Sequence, residues 1–174
     1  MSILSRLFAR QSGRDALVPL YSSIVEAARD PAWYLDGGVA DTVDGRFDMV
    51  AALLSMALVR LEREGKSGAD QSVLLTEIFI EDMDGQLRQI GIGDIIVGKH
   101  IGKMMSALGG RLSAYRGAIA ASESWEDALT RNLYRGSAPD AEALSFSAAR
   151  MRTLAAALDA TDAATLVTDG FPRP

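Results

Sequence analysis

The side chains that could do chemistry are concentrated between positions 77 and 116, beginning with an acidic cluster. Glu77, Glu81 and Asp84 fall on one face of a predicted helix, with Asp82 beside them. Di-iron bundles combine such carboxylates with Glu-x-x-His pairs from several helices, and this sequence contains none. An EF-hand also fails, because counting from Asp82 places Asp94 one position beyond the glutamate that closes the loop. The cluster therefore predicts a solvated helical face rather than a metal site.

The same stretch changes the sign of its charge along the chain. Arg88 is the only cation among five acids over residues 77–94, whereas residues 99–116 hold no acid and four cations, Lys99, Lys103, Arg111 and Arg116. An Asp84–Arg88 pair is expected at the i,i+4 spacing, and the like-charged pair of Glu77 and Glu81 favours a basic partner. Adjacent acidic and basic surfaces suit recognition of another protein, but they could equally neutralise each other across the turn.

His100 is the only histidine, and cysteine is absent. A serine triad and a histidine-based metal site both require partners that the chain lacks. We interpret His100 as a surface or packing residue. No nucleophile can be paired with a base, so we expect neither an enzymatic activity nor a bound cofactor or metal.

Gly91 and Gly93 precede a predicted helix in a pattern that invites comparison with a nucleotide-binding loop. That fingerprint requires a third glycine where Ile96 stands, and it requires a preceding strand in a βαβ unit. Both are missing. The segment is better explained as a turn between two helices, in which Gly91 ends the first helix and Asp94 caps the second.

The helix that follows this turn carries a row of small residues. Within roughly 80° of one another around the helix lie Gly98, Gly102, Ser106, Gly109 and Ser113. Each glycine costs about 1 kcal/mol inside a helix, so a row of them requires a reason, and close approach of another backbone is one. The approaching helix belongs either to this domain or to a partner.

An apolar stripe borders the glycine row on the same helix. Its members are Val97, Ile101, Met104, Met105, Leu108, Leu112, Tyr115 and Ile119. Methionine is flexible and polarizable, so Met104 and Met105 would let a docking surface adapt to varied apolar partners.

The whole chain is typical of one ordinary globular domain. It has 174 residues, of which 48% are hydrophobic and 24% charged. A net charge of −5 argues against general nucleic-acid binding, which depends on cationic side chains. The longest apolar run, over residues 49–59, is too short to cross a bilayer, and no signal-peptide pattern is found. We therefore expect a cytoplasmic protein.

Hydrophobic periodicity predicts an all-α fold, a single compact helical domain of about six helices. The predicted helices span residues 16–29, 47–64, 71–89, 94–121, 124–135 and 140–160. Residues 30–46 are rich in Gly, Asp and Pro and are predicted to form a loop. The helix over 47–64 is apolar on nearly all faces, so we expect it at the centre of the domain.

Residues 1–14 are predicted to be a short basic amphipathic segment, separate from the helical domain of residues 15–174. Four apolar residues recur there at helical spacing, Ile3, Leu4, Leu7 and Phe8, and three cations lie beside them, Arg6, Arg10 and Arg14. A segment of this kind, over residues 3–14, can lie on an anionic membrane surface. A frayed terminus, or a helix packed on the domain, explains the same pattern.

Several motifs, in order and at fitting spacing, resemble the ubiquinol–cytochrome c chaperone family. They are IVEAAR at 24–29 followed by Trp33 and Tyr34, GVADTVDGRFD at 38–48, FIEDMD at 79–84 and LRQIGIGD at 87–94. The pattern continues through Lys99, Lys103-Met104 and Gly110-Arg111 to Ala114-Tyr115, and Arg131-Asn132 matches a further short motif. The resemblance covers about residues 20–134, with departures such as Ala40, where the family tends to have proline.

The resemblance implies an α-helical assembly chaperone for the cytochrome bc1 complex, without enzymatic activity. Mitochondrial members act with a small partner protein, bind newly made cytochrome b and associate with the ribosome. For this chain the resemblance implies cytochrome b or another bc1 subunit as partner, with the ribosome or a small protein as further contacts and no direct contact with nucleic acid. It also implies a place in the cytoplasm or at the cytoplasmic face of the inner membrane.

The leading hypothesis is a chaperone that shields an apolar helix of cytochrome b. The expected partner-binding residues combine the methionine stripe, the glycine row and the flanking charges; they are Asp82, Asp84, Arg88, Asp94, Lys99, Gly102, Lys103, Met104, Met105, Arg111 and Tyr115. The alternative is a small-molecule carrier, for haem or an isoprenoid, with an internal apolar pocket.

Overall fold

The computed structural model describes residues 3–89 and 94–173, and within these ranges the chain forms eight helices and no strand. The helices are α1 Ile3–Ala28, α2 Ala32–Leu35, α3 Val43–Glu62, α4 Gly65–Gln89, α5 Asp94–Ile119, α6 Trp125–Asn132, α7 Ala141–Ala160 and α8 Ala163–Asp169. The predicted all-α fold is confirmed. The two shortest helices, α2 and α8, were not predicted, because segments of four and seven residues carry little periodicity.

The central helix is α3, as its composition predicts. Every residue from 48 to 61 is buried, because α1, α4, α5 and α7 pack around this helix. Thr42 caps its start by accepting a hydrogen bond from the N–H of Gly45 at 3.1 Å. The apolar character of α3 on all sides thus places the other helices around it.

The first helix begins much earlier than predicted. α1 runs without interruption from Ile3, not from residue 16, so Pro19 lies inside the helix rather than in its first turn. The polar part of α1 is held against α4 by ion pairs of Arg10 with Glu77 and of Arg14 with Glu81. These arginines are the basic partners expected for the two glutamates. Membrane contact by residues 3–14 stays a prediction.

The segment predicted as a loop over residues 30–46 contains α2 and the first turn of α3. Trp33 fastens it to the core, where its Nε1 donates to the carbonyl oxygen of Ala27 at 2.9 Å and the Arg150 guanidinium lies 4.4 Å from its ring centre. At the other end of the chain, α8 packs on α1, and the N–H of Phe171 donates to Ser23 Oγ at 2.8 Å.

α4 starts six residues earlier than predicted, and a close approach explains why. A Cβ added at Gly68 would lie 1.8 Å from the carbonyl oxygen of Leu61 near the end of α3. Only glycine therefore lets the first turn of α4 pass so close to α3. Residues 90–93, which include the predicted turn glycine Gly91, lie outside the described residues, and so do the side chains of Asp94, Lys99 and His100.

Two of the predicted helix starts are confirmed by their caps. Ser124 accepts from the N–H of Asp127 at 3.0 Å before α6, and Asp140 accepts from the N–H of Ala143 at 2.9 Å before α7. Among the helices of the described ranges, none combines the length and the hydropathy needed to cross a membrane.

We predict opposite effects of alanine at two helical glycines. Gly68→Ala should lower the free energy of unfolding by about 1–3 kcal/mol, because the new methyl group overlaps backbone. Gly102→Ala should raise it by up to about 1 kcal/mol, because that glycine has open space around it and alanine favours helix. Urea unfolding of both variants measures the difference. Equal losses of stability would contradict this account of the two sites.

Candidate partner-binding cleft

A surface cleft of about 800 Å³ lies between α1, α3, α4 and α5. Its walls are largely apolar and are formed by Val25, Val43, Phe47, Val50, Met83, Met104 and Ala107. Charged side chains line its floor and rim, five of them cationic, Arg29, Arg46, Lys103, Arg111 and Arg135, and three acidic, Asp44, Asp48 and Asp82. The cleft is thus apolar along its sides and net positive, in a chain that is net negative.

A buried carboxylate forms the floor of the cleft. Asp48 of α3 is fully buried and accepts hydrogen bonds from Arg111 Nη2 of α5 and, at 2.5 Å, from Arg135 Nε. Arg135 reaches on to Asp44, with 2.7 Å between Nη1 and Oδ2. Burial raises the pKa of Asp48, while the hydrogen bond from Arg135 and the charge of Arg111 act in the opposite direction. The two arginines therefore offset part of the cost of burying this carboxylate.

Arg111 is held on two sides but keeps unused donors. Its guanidinium lies 5.6 Å from the ring centre of Phe47, and the residue is only 6% exposed. Within the described chain it donates only through Nη2, to Asp48, and its buried Nε has no hydrogen-bond partner. Nε is enclosed by the protein, whereas Nη1 is not enclosed and also donates to no described residue.

At the rim of the cleft, the acid is hydrogen-bonded within the protein, whereas two cations form no ion pair with a described residue. Asp82 accepts from Tyr21 Oη at 2.7 Å and from Gln86 Nε2 at 3.1 Å. Burial, together with this bond to Asp82, raises the pKa of Tyr21. Arg29 and Lys103 are exposed, and neither forms an ion pair with any described residue. The rim can therefore offer two positive charges to a ligand without breaking an internal pair.

The glycine row of α5 faces outward. At Gly98, Gly102, Gly109 and Gly110, an added Cβ would meet no atom within 4 Å. The alternative that another helix of this domain packs there is therefore wrong for the described part of the chain. Neighbouring Ile101, Met104 and Met105 are only partly buried, and among the described side chains of α5 the first fully buried one is Leu108. The first half of α5 thus presents an open backbone face beside incompletely covered apolar side chains.

The cleft brings together four of the residues expected to bind a partner, Asp82, Lys103, Met104 and Arg111. Gly102 and Met105 do not line the cleft: around α5, Gly102 lies roughly 180° and Met105 roughly 120° from Arg111. Asp84 and Arg88 form the predicted i,i+4 pair on α4, with 2.6 Å between Nε and Oδ2, and do not line the cleft. The side chains of Asp94 and Lys99 lie outside the described residues.

Tyr115 lies in the core rather than on a surface. It is fully buried and stacks on Trp125 with 6.1 Å between ring centres. Burial raises the pKa of its phenol, whose Oη has no hydrogen-bond partner among the described residues. Tyr115 does not line the cleft and is not placed to contact a partner.

Sequence reasoning missed the other half of the cleft, above all Asp48, Phe47 and Arg135. Asp48 carried a usable signal, because it is an acid at the start of the most apolar run of the chain. Arg135 carried none, since its partner lies 87 residues away in sequence. Metal ligation gains no support from the described residues, which contain no cluster of three potential ligands.

We predict that Asp48 is the most stability-critical polar residue of the cleft. Asp48→Ala leaves Arg111 buried without its carboxylate and should lower the free energy of unfolding by about 3–5 kcal/mol. Arg135→Ala removes a half-exposed partner and should cost about 1 kcal/mol or less. Adding Arg111→Met to Asp48→Ala should restore part of the loss. Urea unfolding in which Asp48→Ala costs no more than Arg135→Ala would contradict the assignment.

Comparison with known proteins agrees with this architecture. The family model described as ubiquinol–cytochrome C chaperone matches residues 35–173. The crystal structure of the Cbp3 homolog from Brucella abortus is similar, with a TM-score of 0.80 and 27% sequence identity over 99% of this chain and 97% of that chain. No curated protein sequence gives a significant match. Since the family match spans most of the sequence, the chain belongs to the ubiquinol–cytochrome c chaperone family.

Proposed function

We propose that this protein is an assembly chaperone for the cytochrome bc1 complex, and that it binds newly made or unassembled cytochrome b without catalysing a reaction. Membership of the chaperone family supports the bc1 part of the proposal. The observation that carries the binding part is α5 itself, which has open glycines beside partly buried apolar side chains on one side and lines an apolar cleft on another. These two features are what a chaperone for an apolar helix requires.

The open glycines suit a helical client. Packed helices ordinarily lie about 8–10 Å apart, and small residues allow a closer approach. Gly98, Gly102 and Gly109 leave this face of α5 bare, so the backbone of a client helix can lie against it. Met105 borders the face, and its adaptable side chain would fill gaps against different client residues.

The flanking charges would orient the client. Lys103 lies roughly 60° around α5 from Ser106 at the edge of the glycine row, and it also lines the cleft. A cation at this position steers an approaching segment and disfavours the wrong register more than it adds to affinity. In the proposal, a membrane-protein client also brings the chaperone to the inner membrane, where residues 3–14 could make peripheral contact. The ribosome and a small partner protein are further proposed contacts.

A small-molecule carrier is the second candidate function, and the size of the cleft favours it. Its volume of about 800 Å³ falls in the range of ligand pockets. However, the carrier hypothesis expects an internal apolar pocket, whereas this cleft opens at the surface and is lined by eight charged side chains. A client segment, which needs an open approach, accounts for these properties better.

Deletion of the gene tests the proposed function. Under respiratory growth, the deletion strain should lose most of its bc1 complex and of its spectroscopically detected cytochrome b, because unassembled cytochrome b is left without its chaperone. Other respiratory complexes should keep their levels and serve as the control. Normal amounts of bc1 complex and cytochrome b in the deletion strain would contradict the proposal.

Complementation of the same strain tests the role of the glycine face. Gly102→Leu should restore less cytochrome b than the unaltered gene, because the new side chain occupies the face while leaving the fold intact. Gly85→Leu is the matched control, since Gly85 is a helical glycine of α4 that also has open space and does not line the cleft. Equal complementation by both variants, at equal protein levels, would remove the glycine face from the binding surface.

A further inference from the structure

The cleft floor contains a cation that the protein itself does not fully satisfy. Arg111 is 6% exposed, lines the cleft and donates only to Asp48, while its Nε has no partner among the described residues. Nε is enclosed by the protein, but Nη1 also donates to no described residue and is not enclosed, so an oxygen atom of a ligand in the cleft can reach Nη1. Arg111 therefore offers a charged donor to an acceptor group that enters the cleft.

The remaining charges of the cleft specify the sign of that group. Its three acids are engaged internally, Asp48 with Arg111 and Arg135, Asp44 with Arg135, and Asp82 with Tyr21 and Gln86. Two of its five cations, Arg29 and Lys103, have no carboxylate partner in the described part of the chain. The unsatisfied charge in the cleft is thus entirely positive, and it favours an anionic group on the ligand.

The apolar walls of the cleft indicate which kind of ligand carries the anionic group. Phe47, Val50, Met83 and Met104 present apolar surface on both sides of the cleft. A helix about 11 Å across occupies roughly 500 Å³ per turn, so 800 Å³ accepts roughly one and a half turns, or one face of a longer helix.

We propose that the cleft binds an apolar helical segment of a partner protein through a single carboxylate side chain on that segment, with Arg111 and Lys103 as its cationic partners. The proposal rests on the proposed function for the identity of the client, and it adds the chemical feature by which the cleft selects one segment among many apolar ones. An acidic residue in an apolar helix is costly in lipid, so a chaperone that covers it would hold the segment until its final partner is available.

Model peptides bound to the full-length protein test the proposal. The probe is a fluorescein-labelled Leu/Ala helix with polar ends and one central Glu, compared with the same peptide bearing Gln or Lys. In fluorescence anisotropy, the Glu peptide should bind at least about tenfold more tightly than the Gln peptide, because it forms charge-assisted hydrogen bonds. The Lys peptide should bind most weakly. Equal affinity for all three peptides would overturn the proposal.

Charge reversal at the rim supplies the control for folding. Lys103→Glu should abolish the preference for the Glu peptide, whereas Lys66→Glu should keep it. Both lysines are exposed, and only Lys103 lines the cleft. Both variants should give the same circular dichroism spectrum and unfolding midpoint as the unaltered protein. Retention of the full preference in Lys103→Glu would overturn the assignment.

Competition with dodecanoate separates a helix from a small amphiphile with the same head group. Dodecanoate should fail to displace the Glu peptide at concentrations below its critical micelle concentration; displacement would assign the cleft to a small molecule and overturn the proposal. The result is also separable from the proposed function. Peptide selectivity with normal bc1 levels in the deletion strain would remove cytochrome b as the client and keep the carboxylate site. Loss of the bc1 complex in the deletion strain without peptide selectivity would keep cytochrome b as the client and remove the carboxylate site.

Discussion

The buried carboxylate of Asp48 is the interaction on which the candidate site depends. It lies on the central helix α3 and joins α5 through Arg111 and the segment after α6 through Arg135. A charge in the interior is tolerated only when its partners satisfy it, so Asp48 fixes the position of both arginines. Arg111 is held in turn above Phe47, and the floor of the cleft is set by these contacts.

The first half of α5 is open because it lies beyond the hydrophobic core, which α5 joins at Leu108. Among the side chains of α5 that the structure describes, Leu108 is the first fully buried one, and residues 101–107 before it have partly covered apolar side chains on one side and the bare Gly102 on another. A helix that served only the fold would place alanine at Gly98 and Gly102, since glycine costs helix stability without any close neighbour to require it. The contrast with Gly68, which closely approaches Leu61, separates a glycine needed for packing from glycines that leave a surface free.

Sequence patterns predicted the helices but not the cleft. The positions of α5, α6 and α7 follow from local sequence features, and the structure confirms them, with caps at Ser124 and Asp140. The early starts of α1 and α4 were missed because they depend on contacts with other helices, namely the ion pairs of Arg10 and Arg14 and the approach of Gly68 to α3. Arg111 was identified as a site residue from its motif, but its partner Asp48 lies 63 residues away, a distance that no periodicity bridges.

We propose that the cleft receives a segment of cytochrome b, and site-specific photo-crosslinking tests this most directly. A photo-reactive amino acid replaces Gln89, an exposed cleft residue without an assigned role in binding, and, separately, the exposed Lys66. In cells that are making cytochrome b, irradiation should link cytochrome b to position 89 and not to position 66, because only position 89 lines the cleft. The absence of a cytochrome b adduct at position 89, or equal adducts at both positions, would contradict the account.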